Sequence, residues 1–183
     1  LSTGDDAYLP CVKEYFHHFL PAGTNIGTHT WNNGYNGIAC AEYYLRTGDD
    51  AVLPIIQYYC DDAVARQFFG CGWGHWGFDV WPGYVAGGIM NAAGVPEVTV
   101  MLLGKECGVK VDEAALRGTL RYFYRFAGHG AVPYGDHRTE NWLGANGKNG
   151  MIATAMQIAS ATQGDPTIYQ RARNCLGMVM LTS

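Results

Sequence analysis

Charged side chains are scarce in this sequence. Lysine and arginine number 12 and aspartate and glutamate 16, so that charged residues make up only 15% of the 183 residues. The basic residues are scattered along the chain, whereas a nucleic-acid interface needs a concentrated basic face. With a net charge of −4, we expect neither a nucleic-acid partner nor an anionic membrane surface as a partner.

Long apolar runs and strand patterns are also missing. No run of about 18 apolar residues occurs, so we expect no membrane-spanning helix. No sustained alternation of apolar and polar residues lies between turn residues, which argues against β-strands. Hydrophobic residues nevertheless reach 48%, enough for one domain of this length to bury a core. These features predict a globular, helical chain.

The six cysteines lack the spacing of a structural zinc site. They lie at positions 11, 40, 60, 71, 107 and 175, and none is part of a Cys-x-x-Cys pair. A chain this long and apolar does not need disulfides, so we expect reduced and mostly buried thiols. Their even number leaves some disulfides, and with them the cellular compartment, open.

A repeated turn organises what is present. Residues 47–54 repeat residues 3–10, with seven of the eight positions identical. The repeat contains Gly48, suited to the left-handed end of a helix, followed by Asp49, suited to capping the next helix. Weaker copies occur at Gly108 with Asp112 and at Gly164 with Asp165. The pattern predicts an array of helical hairpins, each packed on its neighbours.

Apolar periodicity places helices between these turns. A helix that is apolar nearly all round is typical of a buried position, and this applies to the helix after Asn33, whereas its neighbours have polar faces. Pro96 is expected to kink or divide the fourth segment. The predicted helices cover about residues 5–20, 34–46, 49–69, 84–106, 113–127 and 151–162, and a last helix starts at Asp165-Pro166, with the proline at its favoured first position.

Three stretches carry a family resemblance: residues 31–54, residues 72–75, and the loop at 128–150 with the helix after it. In them the chain resembles the α/α toroid proteins of the terpenoid-cyclase and protein-prenyltransferase type, including bacterial proteins built on that fold. The resemblance implies an all-α toroid with inner apolar helices and outer polar-faced helices. Because the sequence opens at a copy of the repeated turn and closes in an apolar helical segment, we expect residues 1–183 to be one domain and a piece of a larger toroid, with the rest of its chain or other subunits as partners.

The active sites of these relatives do not transfer. The pairs Asp49-Asp50 and Asp61-Asp62 lack the first residue of the Asp-x-Asp-Asp acid of protonating cyclases, and the Gln-x-x-x-x-x-Trp repeats are absent. The zinc-ligand spacing of prenyltransferases and the Cys-Gly-Glu-Gln of thioester domains are absent too. No cofactor is therefore assigned. Histidines in separate loops, with Asp136, could supply metal ligands, but no local motif supports this, and we predict no metal site.

Three loops are the candidate functional region. Residues 28–33, 72–81 and 129–149 precede inner helices, and we expect them to meet at one mouth of the toroid. Their aromatic rings and polar groups suit a sugar, which needs flat apolar faces and hydrogen-bonding edges. The candidate catalytic residues are His75, Asp79, Tyr134, Asp136 and His137. The candidate substrate-binding residues are His29, Trp31, Asn33, Trp73, Trp76, His129, Arg138, Asn141, Trp142 and Asn146.

The chemistry at these positions has several interpretations. A histidine beside a carboxylate, as in His75 with Asp79, can act as a general base. Tyrosine or histidine with arginine or asparagine matches the residue types of lyases on α/α toroids, and Asp79, Asp136 and Glu140 could instead be the carboxylates of a glycosidase. The structural alternative is that these side chains cap helices and join the glycine-rich loops.

Three functional hypotheses follow. The chain is a carbohydrate-active enzyme, of polysaccharide-lyase or glycoside-hydrolase type, with its cleft at the glycine- and aromatic-rich mouth. Alternatively it is a non-catalytic toroid that binds a small ligand or acts as a scaffold. The third hypothesis is an isoprenoid-handling enzyme, which would need an apolar, aromatic central cavity. The sequence leaves the substrate and the compartment open.

Overall fold

The structure is a computed structural model. It describes residues 4–18, 30–74, 88–126, 132–135 and 146–162, together with four single residues between 167 and 174. This part of the chain is helical, with isolated β-bridges but no strand, which confirms the all-α prediction. The helices are α1 Leu9–His18, α2 Thr30–Thr47, α3 Leu53–Ala65, α4 Asn91–Glu106, α5 Glu113–Tyr124 and α6 Asn146–Thr162. None of them, within those ranges, is long and apolar enough to cross a membrane.

The repeated turn has the predicted geometry. Gly4 and Gly48 both have φ of 68°, a left-handed conformation that costs residues with a side chain. The carboxylates of Asp5 and Asp49 then accept a hydrogen bond from the backbone N–H two residues on, at 2.9 and 3.2 Å. Each turn continues through a short 3₁₀ helix into α1 or α3. The same local sequence therefore gives the same turn twice.

A third junction reaches the same result with a longer connection. Gly108 has φ of 82°, and four residues later Asp112 caps α5 by accepting from the backbone N–H groups of Ala114 and Ala115 at 2.8 and 2.9 Å. These hydrogen bonds hold the pKa of Asp112 below its usual range because they favour the charged carboxylate.

The first two turns also contact each other. Asp49 Oδ2 accepts from Tyr43 Oη at 2.9 Å and lies 2.8 Å from His17 Nε2. The contact with His17, followed by that with Tyr43, lowers the pKa of Asp49. Arg46 binds the Asp6 carboxylate at 2.8 Å. Adjacent hairpins are thus joined turn to turn.

Helix α4 is the centre of the core. It packs against α2, α3, α5 and α6, and nearly all its residues from Asn91 to Gly104 are buried. Pro96 lies inside α4, so it does not divide the segment, and the alternative expectation of a kink stays a prediction. The structure also exposes Asn32, Tyr35 and Glu42 on α2. The prediction that α2 is buried all round is therefore wrong, because its main partners, α3 and α4, cover only part of its surface.

Two glycines bring α2 against α4. A Cβ atom added at Gly34 would lie 2.7 Å from Pro96 Cβ, and one added at Gly37 would lie within van der Waals overlap of Val100. Because the contacts advance in the same direction on both helices, α2 and α4 run parallel. Asn33 contacts Asp62 and Gly37 lies against Tyr59, so α3 runs antiparallel to both.

Helices α3, α5 and α6 each differ from the predicted bounds. Helix α3 ends at Ala65 and not near Phe69, because Phe68 pairs with Gly72 and the chain reverses. At this reversal Phe69 has φ of 53°. Helix α5 ends at Tyr124 instead of residue 127, and α6 begins at Asn146, five residues before the predicted start.

The described cysteines are free thiols, as predicted. Cys40, Cys60 and Cys107 are buried, Cys71 is partly buried and Cys11 is exposed. Burial raises the pKa of Cys40 and Cys60 to about 12, because an apolar environment disfavours the thiolate. These buried thiols therefore behave as small hydrophobic side chains.

The α2–α4 contact gives a stability prediction. Replacing Gly34 with alanine places a methyl group 2.9 Å from the carbonyl carbon of Pro96, and backbone cannot move away as a flexible side chain can. We expect the free energy of unfolding to fall by about 1–3 kcal/mol, measured by urea denaturation. Asn32→Ala, on the exposed side of the same helix, is the control and should change it by less than about 0.5 kcal/mol. Equal effects would show that the helices do not approach this closely.

Candidate functional site

Buried side chains fix residues 132–135 over the start of α4. The Asn91 amide donates hydrogen bonds to the carbonyl oxygens of Pro133 and Gly135, both at 3.0 Å. The backbone N–H of Ala92 donates to the carbonyl oxygen of Tyr134 at 3.3 Å. The first turn of α4 therefore holds this short segment and sets the position of Tyr134.

Neighbouring helices hold the same segment from other sides. Tyr122 Oη of α5 donates to Asn91 Oδ1 at 2.6 Å, which orients the Asn91 amide so that its N–H groups face the segment. Asn149 Oδ1 of α6 accepts from the backbone N–H of Val132 at 2.8 Å. Asn91 and Asn149 are completely buried, so these bonds are shielded from water, and a polar group left unpaired there would be costly.

The segment forms one wall of a pocket of about 310 Å³. The other walls come from α2, α4 and α6, and the pocket lies at the N-terminal ends of α2 and α4. We call it the aromatic pocket, and its lining residues are Trp31, Tyr35, Ala92, Val95, Pro96, Tyr134 and Met151.

Two of the predicted site residues meet in the aromatic pocket. Trp31 is the second residue of α2, and Tyr134 belongs to residues 132–135. Both side chains line the cavity. Tyr35 is a third ring that the sequence analysis did not select; it lies one turn after Trp31 and is about half exposed, at 51%. Spacing of four residues on a helix would have suggested it as a neighbour of Trp31.

The lining sets what the pocket can bind. Three aromatic rings offer flat faces, while the phenol and indole groups at their edges can form hydrogen bonds. Alanine, valine, proline and methionine supply an apolar floor. The described lining contains no carboxylate and no imidazole, so a binding role follows from these residues, whereas acid–base chemistry at the pocket would need groups besides them or the phenol of Tyr134.

Other predicted residues have different positions. Trp73 is completely buried; its indole N–H donates to the Ala63 carbonyl oxygen at 2.7 Å, and its ring lies against Gly94. It therefore packs in the core and offers no face to a ligand in this structure. Asn33 is also buried and donates to Asp62 Oδ2 at 2.9 Å. Asn146 is the first residue of α6.

The remaining predicted residues lie outside the described part of the chain. These are the catalytic candidates His75, Asp79, Asp136 and His137 and the substrate-binding candidates His29, Trp76, His129, Arg138, Asn141 and Trp142.

Buried polar side chains form a second group, on α2, on α4 and at the end of α3. Asp62 Oδ2 accepts from Asn33 Nδ2 at 2.9 Å and from Arg66 Nε at 2.6 Å. Arg66 is only 6% exposed, so this ion pair is largely shielded from water. Thr30 and Glu97 complete the group, and both are completely buried. A charged group is costly to bury unless it is paired, which makes Glu97 unusual.

Glu97 is the least compensated of these side chains. Neither of its carboxyl oxygens has a hydrogen-bond partner in the described structure. Burial raises its pKa well above the ordinary value; the negative charge of Asp62 raises it further and the positive charge of Arg66 opposes the shift. Burial therefore favours the protonated carboxyl.

Glu97 is not among the predicted site residues, although its sequence context is unusual. Glu97 is the only charged residue between Asp79 and Lys105, in a segment apolar enough to be buried all round. It is not part of a conventional metal centre: within the described residues, no group of three or more histidine, cysteine, aspartate or glutamate side chains could hold a metal ion.

The buried carboxyl gives a pH prediction. Because the pKa of Glu97 is higher in the folded than in the unfolded chain, its contribution to stability is fully present below the unfolded pKa of about 4.3 and is lost as pH rises through the folded pKa. Glu97→Gln keeps the shape and removes the titration. We expect the difference in free energy of unfolding, variant minus wild type, to increase from about pH 5 to about pH 8.

The measurement is urea denaturation of both proteins in buffers without added alkali-metal salt. Glu42→Gln, at an exposed position on α2, is the matched control and should follow the wild type at each pH. A constant difference between Glu97→Gln and wild type across this range would show that the Glu97 carboxyl is not shielded as the structure has it.

Comparison with known proteins gives a family. No curated protein matches the chain, and no solved structure matches it. One family model does match, over residues 1–183, and its description is a domain of unknown function, DUF6288. The chain therefore belongs to the DUF6288 family.

Proposed function

We propose that this chain binds a saccharide in the aromatic pocket and that it is part of a carbohydrate-active enzyme of lyase or hydrolase type. The observation that carries the proposal is the meeting of Trp31, Tyr35 and Tyr134 in one cavity. A pyranose ring has flat apolar faces and hydroxyl edges, and aromatic rings with polar edges complement both.

The size and position of the pocket support this ligand class. Its volume of about 310 Å³ lies at the lower end of the range for small-molecule sites, roughly 300–1,000 Å³. Tyr35 is half exposed, so the rim of the pocket reaches solvent. One sugar unit inside and a polymer continuing outward would fit this arrangement.

The packing of the hairpins supports the wider toroid assignment. Helices α2 and α4 run parallel with α3 antiparallel to them, and α4 is covered on several sides. An α/α toroid repeats this arrangement around a ring, with the starts of the inner helices at one mouth. The aromatic pocket lies at the starts of α2 and α4, which corresponds to that mouth.

Catalysis would depend on Tyr134 and on residues of the adjoining loops. In a lyase reaction, a base removes the proton next to a uronate carboxyl group, a carbon–carbon double bond forms, and the glycosidic oxygen leaves with a proton from an acid. The phenol of Tyr134 can exchange such protons. Asp136 and His137 follow this segment directly in the sequence, and His75 is a further candidate base.

A non-catalytic binding function is the second candidate. The observation in its favour is that the described lining of the aromatic pocket has neither a carboxylate nor an imidazole. The same lining has an apolar floor, so an isoprenoid is a third ligand class to compare. Titration with an oligouronate, a neutral oligosaccharide and a prenyl alcohol separates these cases.

The binding prediction concerns Trp31. Isothermal titration calorimetry should show binding of an oligosaccharide, and Trp31→Ala should weaken it by about tenfold or more because the stacking face is lost. Tyr58→Ala, at an exposed ring on α3, is the control and should bind as the wild type does. Unchanged affinity of Trp31→Ala, or binding of the prenyl alcohol alone, would contradict the saccharide assignment.

The catalytic prediction concerns Tyr134, His75 and His137. Tyr134→Phe keeps the ring and removes the hydroxyl, so it should lower turnover by about 10²- to 10⁴-fold if that group transfers a proton, with binding retained. His75→Ala and His137→Ala should abolish turnover while the helical circular dichroism signal stays intact. Turnover is followed by the absorbance of unsaturated uronate and by release of reducing ends.

The outcomes separate enzyme from binder. Wild-type turnover with all three variants fully active would show that these catalytic roles are wrong. Saccharide binding without turnover on any tested polymer would favour the non-catalytic function.

A further inference from the structure

Four buried oxygen atoms on α2 and α4 have no hydrogen-bond partner in the described part of the chain. They are Thr30 Oγ1, Asn33 Oδ1 and both carboxyl oxygens of Glu97. The three residues are at most 1% exposed. We call them the oxygen cluster. Because unpaired buried polar groups are costly, four of them would remove a substantial share of the net stability of a domain.

The register of α2 against α4 places the residues of the oxygen cluster at a similar height along the two helix axes. Thr30, Asn33 and Gly34 are buried residues of α2, and the backbone nitrogen of Glu97 lies 3.0 Å from a Cβ added at Gly34. Asn33 is bonded to Asp62 of α3, and the charge of Asp62 acts on Glu97, which places Asn33 and Glu97 beside the same carboxylate. Side chains on a helix slant towards its N-terminus. Since α2 and α4 run parallel, the Glu97 carboxyl slants towards the turn that carries Thr30.

The chemistry of the oxygen cluster selects its ligand. A hydroxyl, an amide oxygen and a carboxylate, with no nitrogen or sulfur donor, suit a hard cation. The charge selects the valence. With Glu97 ionised, Glu97 and Asp62 carry two negative charges and Arg66 one positive charge, so the net charge is that of a single anion. One monovalent cation would neutralise it, whereas a divalent ion would leave an excess positive charge in the core.

We propose that the oxygen cluster of Thr30, Asn33 and Glu97 is a buried binding site for a monovalent hard cation, for which sodium is the probe. The donor set has only one carboxylate in the cluster and a second, Asp62, that is already bonded to Arg66 and Asn33. This agrees with the absence, among the described residues, of an acidic or histidine cluster able to hold a metal ion. The proposal does not depend on the ligand of the aromatic pocket.

The first experiment is thermal unfolding of the whole chain at about pH 8, in chloride salts of equal ionic strength. The salts are those of sodium, potassium, magnesium, calcium and tetramethylammonium. At about a hundred times its Kd, sodium should raise Tm by roughly 5 to 10 °C over tetramethylammonium.

Variants assign the effect to the cluster. Glu97→Gln and Thr30→Val keep the side-chain volumes and should lose the sodium-dependent rise in Tm, while Glu42→Gln should keep it. Broadening of the sodium-23 magnetic resonance signal by the wild type, and its loss with Glu97→Gln, provides a readout that does not depend on stability. Circular dichroism confirms that the variants are folded, and if one of the two cluster variants fails to fold, the other carries the test.

Three outcomes would overturn the proposal. Equal Tm in all five salts would mean that water or protein groups satisfy the oxygen cluster. Stabilisation by magnesium or calcium in place of sodium would show that the monovalent assignment is wrong. A sodium effect that persists in Glu97→Gln, with sodium-23 broadening unchanged, would place the ion elsewhere.

Discussion

The close approach of α2 to α4 is the contact on which the rest of the structure depends. It is possible because Gly34 and Gly37 present no side chain to Pro96 and Val100. One edge of this contact forms the aromatic pocket, through Trp31 and Pro96. Thr30 of α2 and Glu97 of α4 are completely buried. A wider spacing would both open the pocket wall and admit water to the buried carboxyl.

The turn end of a hairpin and its opposite end are held by different kinds of hydrogen bond. At the turn end, a left-handed glycine and an aspartate cap satisfy the backbone within a few residues. At the other end, Asn91 and Asn149 reach across the structure to hold residues 132–135. The turn can be repeated without change because it is local, whereas residues 132–135 need partners supplied by other helices.

This difference explains what could be predicted from the sequence. The Gly48–Asp49 turn was predictable, since its cause lies in neighbouring residues. Trp31 and Tyr134 were placed in the functional region because they precede or lead towards apolar helices. Trp73 has a similar setting in the sequence, but Gly94 leaves space for its ring and the Ala63 carbonyl accepts its N–H. Only the packing of distant segments decides that Trp73 is core and Trp31 lines a pocket.

The burial of Glu97 is also decided by the packing of distant segments, and burying its carboxyl group costs free energy. Glu97 occupies the most buried helix of the described structure and has no hydrogen-bond partner there. An apolar side chain of similar volume would avoid the cost of burying a carboxyl, and such replacements of buried charges are often stabilising. Packing alone therefore does not account for a carboxyl at this position. The carboxyl oxygens of Glu97 and the side-chain oxygens of Thr30 and Asn33 form a donor set that suits a cation. Binding a ligand would explain a buried carboxyl group that stability alone does not explain.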